Sequence, residues 1–174
     1  MKYLLEGEKS KRLLFRKLEE EDFDWWMEFA SNKIATRYFD FTGSLNPEEF
    51  CRTWFNKVFD RYKNNTGGHN VLLSKINGER IGMCGLLLQE VDGMEELEIG
   101  YSIHPGFWKQ GFATEAAREC KKFAFKNQFA NSLISIVHVD NEASARVAKN
   151  NGMTLDKTTT YKGIRVNIFR ILNV

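Results

Sequence analysis

The stretch EIGYSIHPGFWKQGFATE, residues 98–115, constrains what this chain can fold into more than any other. Its first half alternates, with Leu97, Ile99, Tyr101 and Ile103 on one face of a strand and Glu98, Gly100, Ser102 and His104 on the other. Its second half passes through Pro105 and Gly106, reaches Gly111, and enters a helix over 112–127 in which Ala116, Cys120, Phe123 and Ala124 face inward. A strand that feeds a helix in this way ends at unpaired N–H groups with a partial positive charge, which together hold a phosphate. Gly111 and Ala113 keep side chains small where a pyrophosphate would touch the backbone. The Glu98 face carries a carboxylate, a hydroxyl and a gap at Gly100 where a ligand can approach the main chain. A strand with one face in water explains the same alternation. Neither a Walker-A lysine-serine pair nor a complete G-x-G-x-x-G is present, which removes the best support for a nucleotide hydrolase or a dehydrogenase.

The remaining segments read as a sheet and helices around this unit. Residues 13–18 form a first strand, and Phe23, Trp26, Met27 and Ala30 then recur with helical spacing. Acids crowd that helix start (Glu19, Glu20, Glu21, Asp22, Asp24), where a first turn favours carboxylates; a cationic substrate is the other reading. A second helix starts with Asn46 as N-cap and Pro47 as first helical residue, buries Phe50, Cys51, Trp54, Phe55, Val58, Phe59 and Tyr62, and ends at Thr66-Gly67-Gly68. Strands follow at 69–76 and 80–90 around the Asn77-Gly78 hairpin signal, and a third at 96–103 after Asp92-Gly93. Residues 132–139 are a β-branched strand, 141–150 a short helix, and 154–161 with 164–172 a closing hairpin at Lys162-Gly163. The order β-α-α-β-β-β-α-β-α-β-β predicts an α+β fold, an α/β sandwich whose mostly antiparallel sheet is covered by helices. The 174 residues, against ~150 for a typical domain, make room for one domain over 1–174.

Composition removes several function classes. Lys and Arg number 25 and Asp and Glu 23, a net +2 too balanced to announce a nucleic-acid partner. The longest apolar run, residues 81–88, is far short of the ~20 residues that span a bilayer, and the charged N-terminus shows no secretory signal. Cys51, Cys84 and Cys120 are odd in number and widely spaced, which suits buried thiols in a reducing, cytoplasmic setting rather than disulfides. No His, Cys or carboxylate cluster has metal-ligand spacing, so no metal is expected.

At two places the chain resembles a known family. LEIGYSIHPGFWKQGFATEAA is similar to the strand-loop-helix signature of the GNAT-type N-acetyltransferases, above all the ribosomal-protein N-acetyltransferase branch with its W-x-x-G-x-A-T-E-A loop. VHVDNEASARVAKNNGM resembles that branch's N-x-x-S-x-R-V segment, and RLLFRKLEEEDFDWW its first strand and helix. The resemblance implies a GNAT-like fold with a splayed strand pair, and acetyl-CoA as co-substrate for acetylating an amine. Carried over, Trp108, Lys109, Gln110, Gly111, Phe112, Ala113 and Thr114 would bind the pyrophosphate through the backbone, and Ile103 would pair with the pantetheine arm. Asn141 and Ser144 would lie near the pantetheine and sulfur, with Asn141 also an N-cap. Glu98, the acid of the family's EIGY strand, would be the general base or would hold the water that relays the amine proton. Many relatives carry a tyrosine acid where this chain has Ala148, so Ser144 would assist the thiolate instead.

The acceptor stays open at this point. An α-amine with pKa ~7.7–8.0 is made neutral at pH 7 for roughly 1–1.4 kcal/mol, whereas a lysine amine at ~10.4 costs nearer 4.6, so one carboxylate base suits a protein N-terminus best. An aminoglycoside, a polyamine or an amino acid is the alternative, and a non-catalytic acetyl-CoA-binding module the rival from another class. Trp25, Phe29 and Tyr38 are candidate walls of an acceptor pocket, with packing against the second helix the other reading of Trp25 and Phe29. His138 is read first as a structural histidine and second as a residue bordering the site, and His104 as a shaper of the turn before Pro105. The oligomer, monomer or homodimer, leaves no mark in the sequence.

Overall fold

The computed structural model describes residues 1–39 and 45–174. In chain order the elements are β1 (Leu13–Lys17), α1 (Phe23–Ser31), α2 (Lys33–Thr36), α3 (Pro47–Asn64), β2 (Gly67–Ser74), β3 (Arg80–Val91), β4 (Met94–Ile103), α4 (Phe112–Lys126), β5 (Ser132–His138), α5 (Glu142–Asn150), β6 (Thr154–Tyr161) and β7 (Ile164–Leu172). Single 3-10 turns at Glu20–Asp22 and Pro105–Phe107 lead towards α1 and α4. The strands form one sheet in the order β1-β2-β3-β4-β5-β7-β6. Every neighbouring pair is antiparallel except β4 and β5, which run parallel.

That exception opens the sheet. The β4 and β5 ladder holds only at Glu98 and Ile134, after which the strands part. The His104 N–H donates to Ile81 O at 3.0 Å across β3. By alternation the main-chain groups of Ile99, Tyr101 and Ile103 therefore face β5. Ser135 Oγ donates to Ile99 O at 2.9 Å and Trp108 Nε1 to Ile103 O at 2.7 Å. The N–H groups of Tyr101 and Ile103 are turned into the gap with no ladder partner on β5.

Two apolar layers cover the sheet, one on each face. Val71 and Met83 pack with Trp26, Phe29, Trp54 and Phe55 beneath α1 and α3. Their sequence neighbours Leu72 and Cys84 pack on the opposite face with Ala116, Cys120 and Ala124 of α4 and Ala148 of α5. Each fully buried Leu- or Phe-sized side chain contributes ~1.5–3 kcal/mol, so these layers hold the gap's two banks in place. All three cysteines are buried and free, with Cys84 Sγ 3.5 Å from Cys120 Sγ. Among the described residues no helix is long and apolar enough to cross a membrane.

Local signals account for most element ends. Asn46 Oδ1 accepts the Glu49 N–H at 2.9 Å and Glu49 returns a bond to the Asn46 N–H at 3.0 Å, with Pro47 in the first turn. Three details differ from the sequence reading. Gly67 and Gly68 do not end α3, which closes at a left-handed Asn65; both glycines already belong to β2. Asn77 and Gly78 sit in a turn spanning residues 75–79 rather than forming a two-residue hairpin. The short α2 was not anticipated; Asn32 makes it by accepting the N–H groups of Ile34 and Ala35 at 3.0 and 2.9 Å. The acid cluster before α1 has a structural explanation at Asp22. Its carboxylate, 1% exposed, accepts two Arg16 N–H bonds at 2.9 Å and pairs with Arg80 Nε at 2.9 Å.

Candidate functional site

The parting strands open into a cavity of about 870 Å³ that reaches both faces of the sheet. On one face it is walled by the starts of two helices. Gly111 precedes α4 with φ +81, a left-handed conformation that disfavours any side chain, and it supplies no side-chain cap. The first helical bond is from the Glu115 N–H to Gly111 O. The N–H groups of residues 111–114 therefore have no acceptor among the described residues, which is the cradle a phosphate fits. Arg12 fixes this loop from outside: it donates to Gln110 O at 3.0 Å and to Glu115 Oε2 at 2.6 Å, and lies over the Phe112 ring at 4.1 Å.

At the start of α5, Asn141 Oδ1 accepts the Ser144 N–H at 3.1 Å, so the N-cap role is real. Ser144 Oγ donates to the Tyr101 hydroxyl at 3.2 Å, and that hydroxyl donates to Ser144 O at 2.8 Å. Burial pushes the Tyr101 phenol up, with the Ser144 bond pulling it back, so it is neutral at pH 7. Ala148 is buried and brings no acidic group. A phenol does reach Ser144, from β4 rather than from α5, on the strand face opposite Glu98.

The other face is built from side chains of separate elements. Glu98 Oε2 accepts from Gln89 Nε2 at 2.7 Å. Gln89 Oε1 in turn accepts from Arg61 Nη2 at 2.8 Å and from the Tyr161 hydroxyl at 2.9 Å. Burial raises the Glu98 carboxyl above the usual carboxylate range; Gln89, Arg61, the Ile136 N–H and Lys162 oppose that without cancelling it. Next to Glu98 lies a trough. His69, Gly85 and Gly100 are cross-strand neighbours, and a Cβ on Gly100 would stand 3.1 Å from His69 Nε2 and 2.8 Å from Leu87 Cδ1. The imidazole occupies the space that Gly100 leaves, 5.0 Å from the Trp54 ring. Burial first, and the Arg61 charge second, push its pKa down to about 3, so it is neutral at pH 7.

The cavity thus gathers Glu98, Ile103, Trp108, Lys109, Gly111, Phe112, Ala113, Thr114, Asn141 and Ser144. Gln110 lies outside it, with its side-chain amide 3.4 Å from Gly106 O. Phe29, Tyr38 and His138 line it, whereas Trp25 does not and leans on Trp26 at 5.0 Å. Tyr38 stacks on His138 at 4.6 Å and donates to Asp140 O at 3.0 Å, bridging the two banks. His104 accepts the Gly106 N–H at 3.3 Å and shapes the turn, as its place before Pro105 implied. Arg61, His69, Gln89 and Tyr161 escaped the sequence reading. Of these only His69 left a trace, as a polar residue opposite glycines once strand register is known.

A family model described as acetyltransferase (GNAT) domain matches residues 12–154. The chain belongs to the GNAT acetyltransferase family. YkkB of Bacillus subtilis (strain 168), an uncharacterized protein, is 31% identical over 134 residues, covering 75% of this chain and 73% of YkkB. Two solved structures share the GNAT fold. The ribosomal L7/L12 α-N-protein acetyltransferase RimL in complex with coenzyme A superposes with a TM-score of 0.77 at 18% identity, covering 95% of this chain and 97% of RimL. Spermidine N-acetyltransferase from Vibrio cholerae in complex with CoA and spermine gives 0.71 at 17% identity, covering 93% and 96%. This GNAT chain is an acetyltransferase, and its splayed β4 and β5 pair is the feature of the fold that positions the cavity.

Proposed function

We propose that this GNAT domain transfers an acetyl group from acetyl-CoA to a primary amine, with a protein or peptide N-terminal α-amine as the acceptor class. The observation that carries the reading is one continuous cavity joining a helix-start N–H cradle, without an acceptor among the described residues, to the half-buried Glu98 carboxylate through a gap in the sheet. Acetyl-CoA supplies the thioester. The N–H groups of residues 111–114 hold the pyrophosphate, and the N–H groups of Tyr101 and Ile103 hold the extended arm as a strand would. An N–H in the gap also steadies charge developing on the thioester oxygen.

Glu98 takes the proton that the attacking amine loses. Its carboxylate is anchored by Gln89 and raised towards the pH range where a base works best. Ser144 Oγ hydrogen-bonds the departing sulfur as its charge develops, the Tyr101 hydroxyl, bonded to Ser144 Oγ and Ser144 O, holds that side chain in place, and the thiolate then takes its proton from solvent. The neutral His69 imidazole and the Trp54 ring wall the acceptor end without competing for the proton. Free buried thiols fit a reducing compartment such as the cytoplasm.

The test is Glu98→Gln, which keeps shape and removes basicity. We expect kcat/KM to fall by ~10²–10⁴-fold, with the deficit shrinking from pH 6 to 9.5 as solvent supplies neutral amine. Activity retained within about threefold across that range would remove Glu98 from the mechanism.

A further inference from the structure

We propose that the amine acetylated here carries an anionic group, a carboxylate or a phosphate, close to its reactive nitrogen. The inference rests on the acetyl-transfer reading and concerns the acceptor end of the same cavity. Among the described residues lining that cavity, Glu98 is the single Asp or Glu. Arg61 and Lys162 both line it and both act electrostatically on the Glu98 carboxylate. Arg37 lines it as well, its guanidinium 4.6 Å over the Tyr38 ring.

Arg61 is the informative cation. Its Nη1 donates to Thr66 O at 3.2 Å and Leu88 O at 2.9 Å, and its Nη2 to Gln89 Oε1 at 2.8 Å. All three acceptors are neutral, so the guanidinium is held in place with no carboxylate bonded to it among the described residues. Of its five N–H donors, Nε–H and one Nη2–H have no acceptor among the described residues. Gln89 stands between this guanidinium and Glu98 and bonds both. The acceptor end therefore presents a negative and a positive group one side-chain amide apart. A ligand with an amine beside an anion matches that dipole: the nitrogen goes to Glu98 and the anion to Arg61 and Lys162. A polyamine or aminoglycoside would instead bring several like charges to a wall holding one carboxylate and the four cations Arg37, Lys57, Arg61 and Lys162.

These cations do not serve the phosphates of coenzyme A in this arrangement. Lys109 precedes α4 and Arg146 lies midway along α5, both on the helix-start side of the gap. Arg61 and Lys162 come from α3 and the β6–β7 turn, near Glu98 on the far side of the gap.

The experiment follows thiol release from acetyl-CoA with three C-terminally amidated peptides, Ser-Glu-Ala, Ser-Gln-Ala and Ser-Lys-Ala, and with free glutamate and spermidine. Acetyl-CoA binding is measured separately by calorimetry. We expect kcat/KM to favour the Glu peptide over the Gln peptide by about tenfold and over the Lys peptide by more, with the preference shrinking at high salt. Comparing that peptide with free glutamate tells whether the anion belongs to a protein N-terminus or a small molecule. Lys162→Glu, at an exposed turn, should collapse the Glu over Gln preference towards one. Glu and Gln peptides within twofold of each other, or a Lys peptide or spermidine that matches the acidic acceptors, would overturn the inference and leave acetyl transfer standing. Acetyl-CoA binding without thiol release for any amine would overturn both.

Discussion

The two banks of the β4–β5 gap are built from different materials. On the α4 and α5 bank the cavity meets main-chain N–H groups, whose positions follow from a left-handed Gly111 and two helix starts. On the α3 bank it meets side chains: Trp54 and Arg61 from α3, His69 from β2, Gln89 from β3, Glu98 from β4 and Tyr161 from β6. A main-chain site tolerates many substitutions because only the backbone path matters, but it fails sharply where that path needs glycine. A side-chain site spreads its dependence over many contacts, and each one shifts rate or pH response by a limited amount.

The sharpest way to break the first bank is Gly111→Glu. It puts a side chain at φ +81 and a negative charge where the pyrophosphate is proposed to sit. Acetyl-CoA affinity should fall at least ~100-fold by calorimetry, the combined effect of backbone strain and like-charge repulsion. A ten- to hundredfold loss is expected next, for Ser144→Ala, and it should appear in kcat more than in acetyl-CoA affinity because thiolate charge develops on the way to products. An equal loss in affinity with normal kcat would make Ser144 a binding residue.

Gln89→Leu probes the second bank and should cost about tenfold in kcat/KM near neutral pH. Gln89 is among the groups that pull the Glu98 pKa down, so its removal lets burial raise that pKa further. The acidic limb of the pH profile should move to higher pH, and activity should recover at the alkaline end. An unshifted limb would mean that Gln89 only packs.

The smallest effect concerns stability. Because burial raises the folded-state pKa of Glu98, its contribution to stability is complete below the unfolded carboxyl pKa and is lost as pH rises through the folded value. Glu98→Gln should therefore melt above the parent by ~1–2 °C at pH 8, and the gap should close near pH 4. The same substitution would then lower activity while raising Tm, separating catalytic cost from structural cost.

Sequence legibility divides along the same line as the two banks. The Asn46 cap with Pro47, the Asn141 cap and the Lys162-Gly163 turn were all readable, because each depends on residues within four positions of one another. The strand-glycine-helix unit was readable for that reason too, and residues 111–114 at its turn line the cavity. The role of Tyr101 was not legible, since its hydroxyl meets Ser144 only after β4 and α5 are packed together. Arg61, His69 and Gln89 were silent because nothing near them in the chain distinguishes them from ordinary strand and helix residues.

By itself, then, the sequence determined most of the elements, the glycine-led start of α4 and the presence of a carboxylate on β4. Those features are short-range, set by backbone dihedrals, caps and period-two alternation. Only the tertiary structure decided which neutral and charged groups surround Glu98. The register that lines up His69, Gly85 and Gly100, and the packing that lays Arg61 and Tyr161 against Gln89, join residues far apart along the chain. Such contacts arise from close packing of whole layers, and no local pattern encodes them.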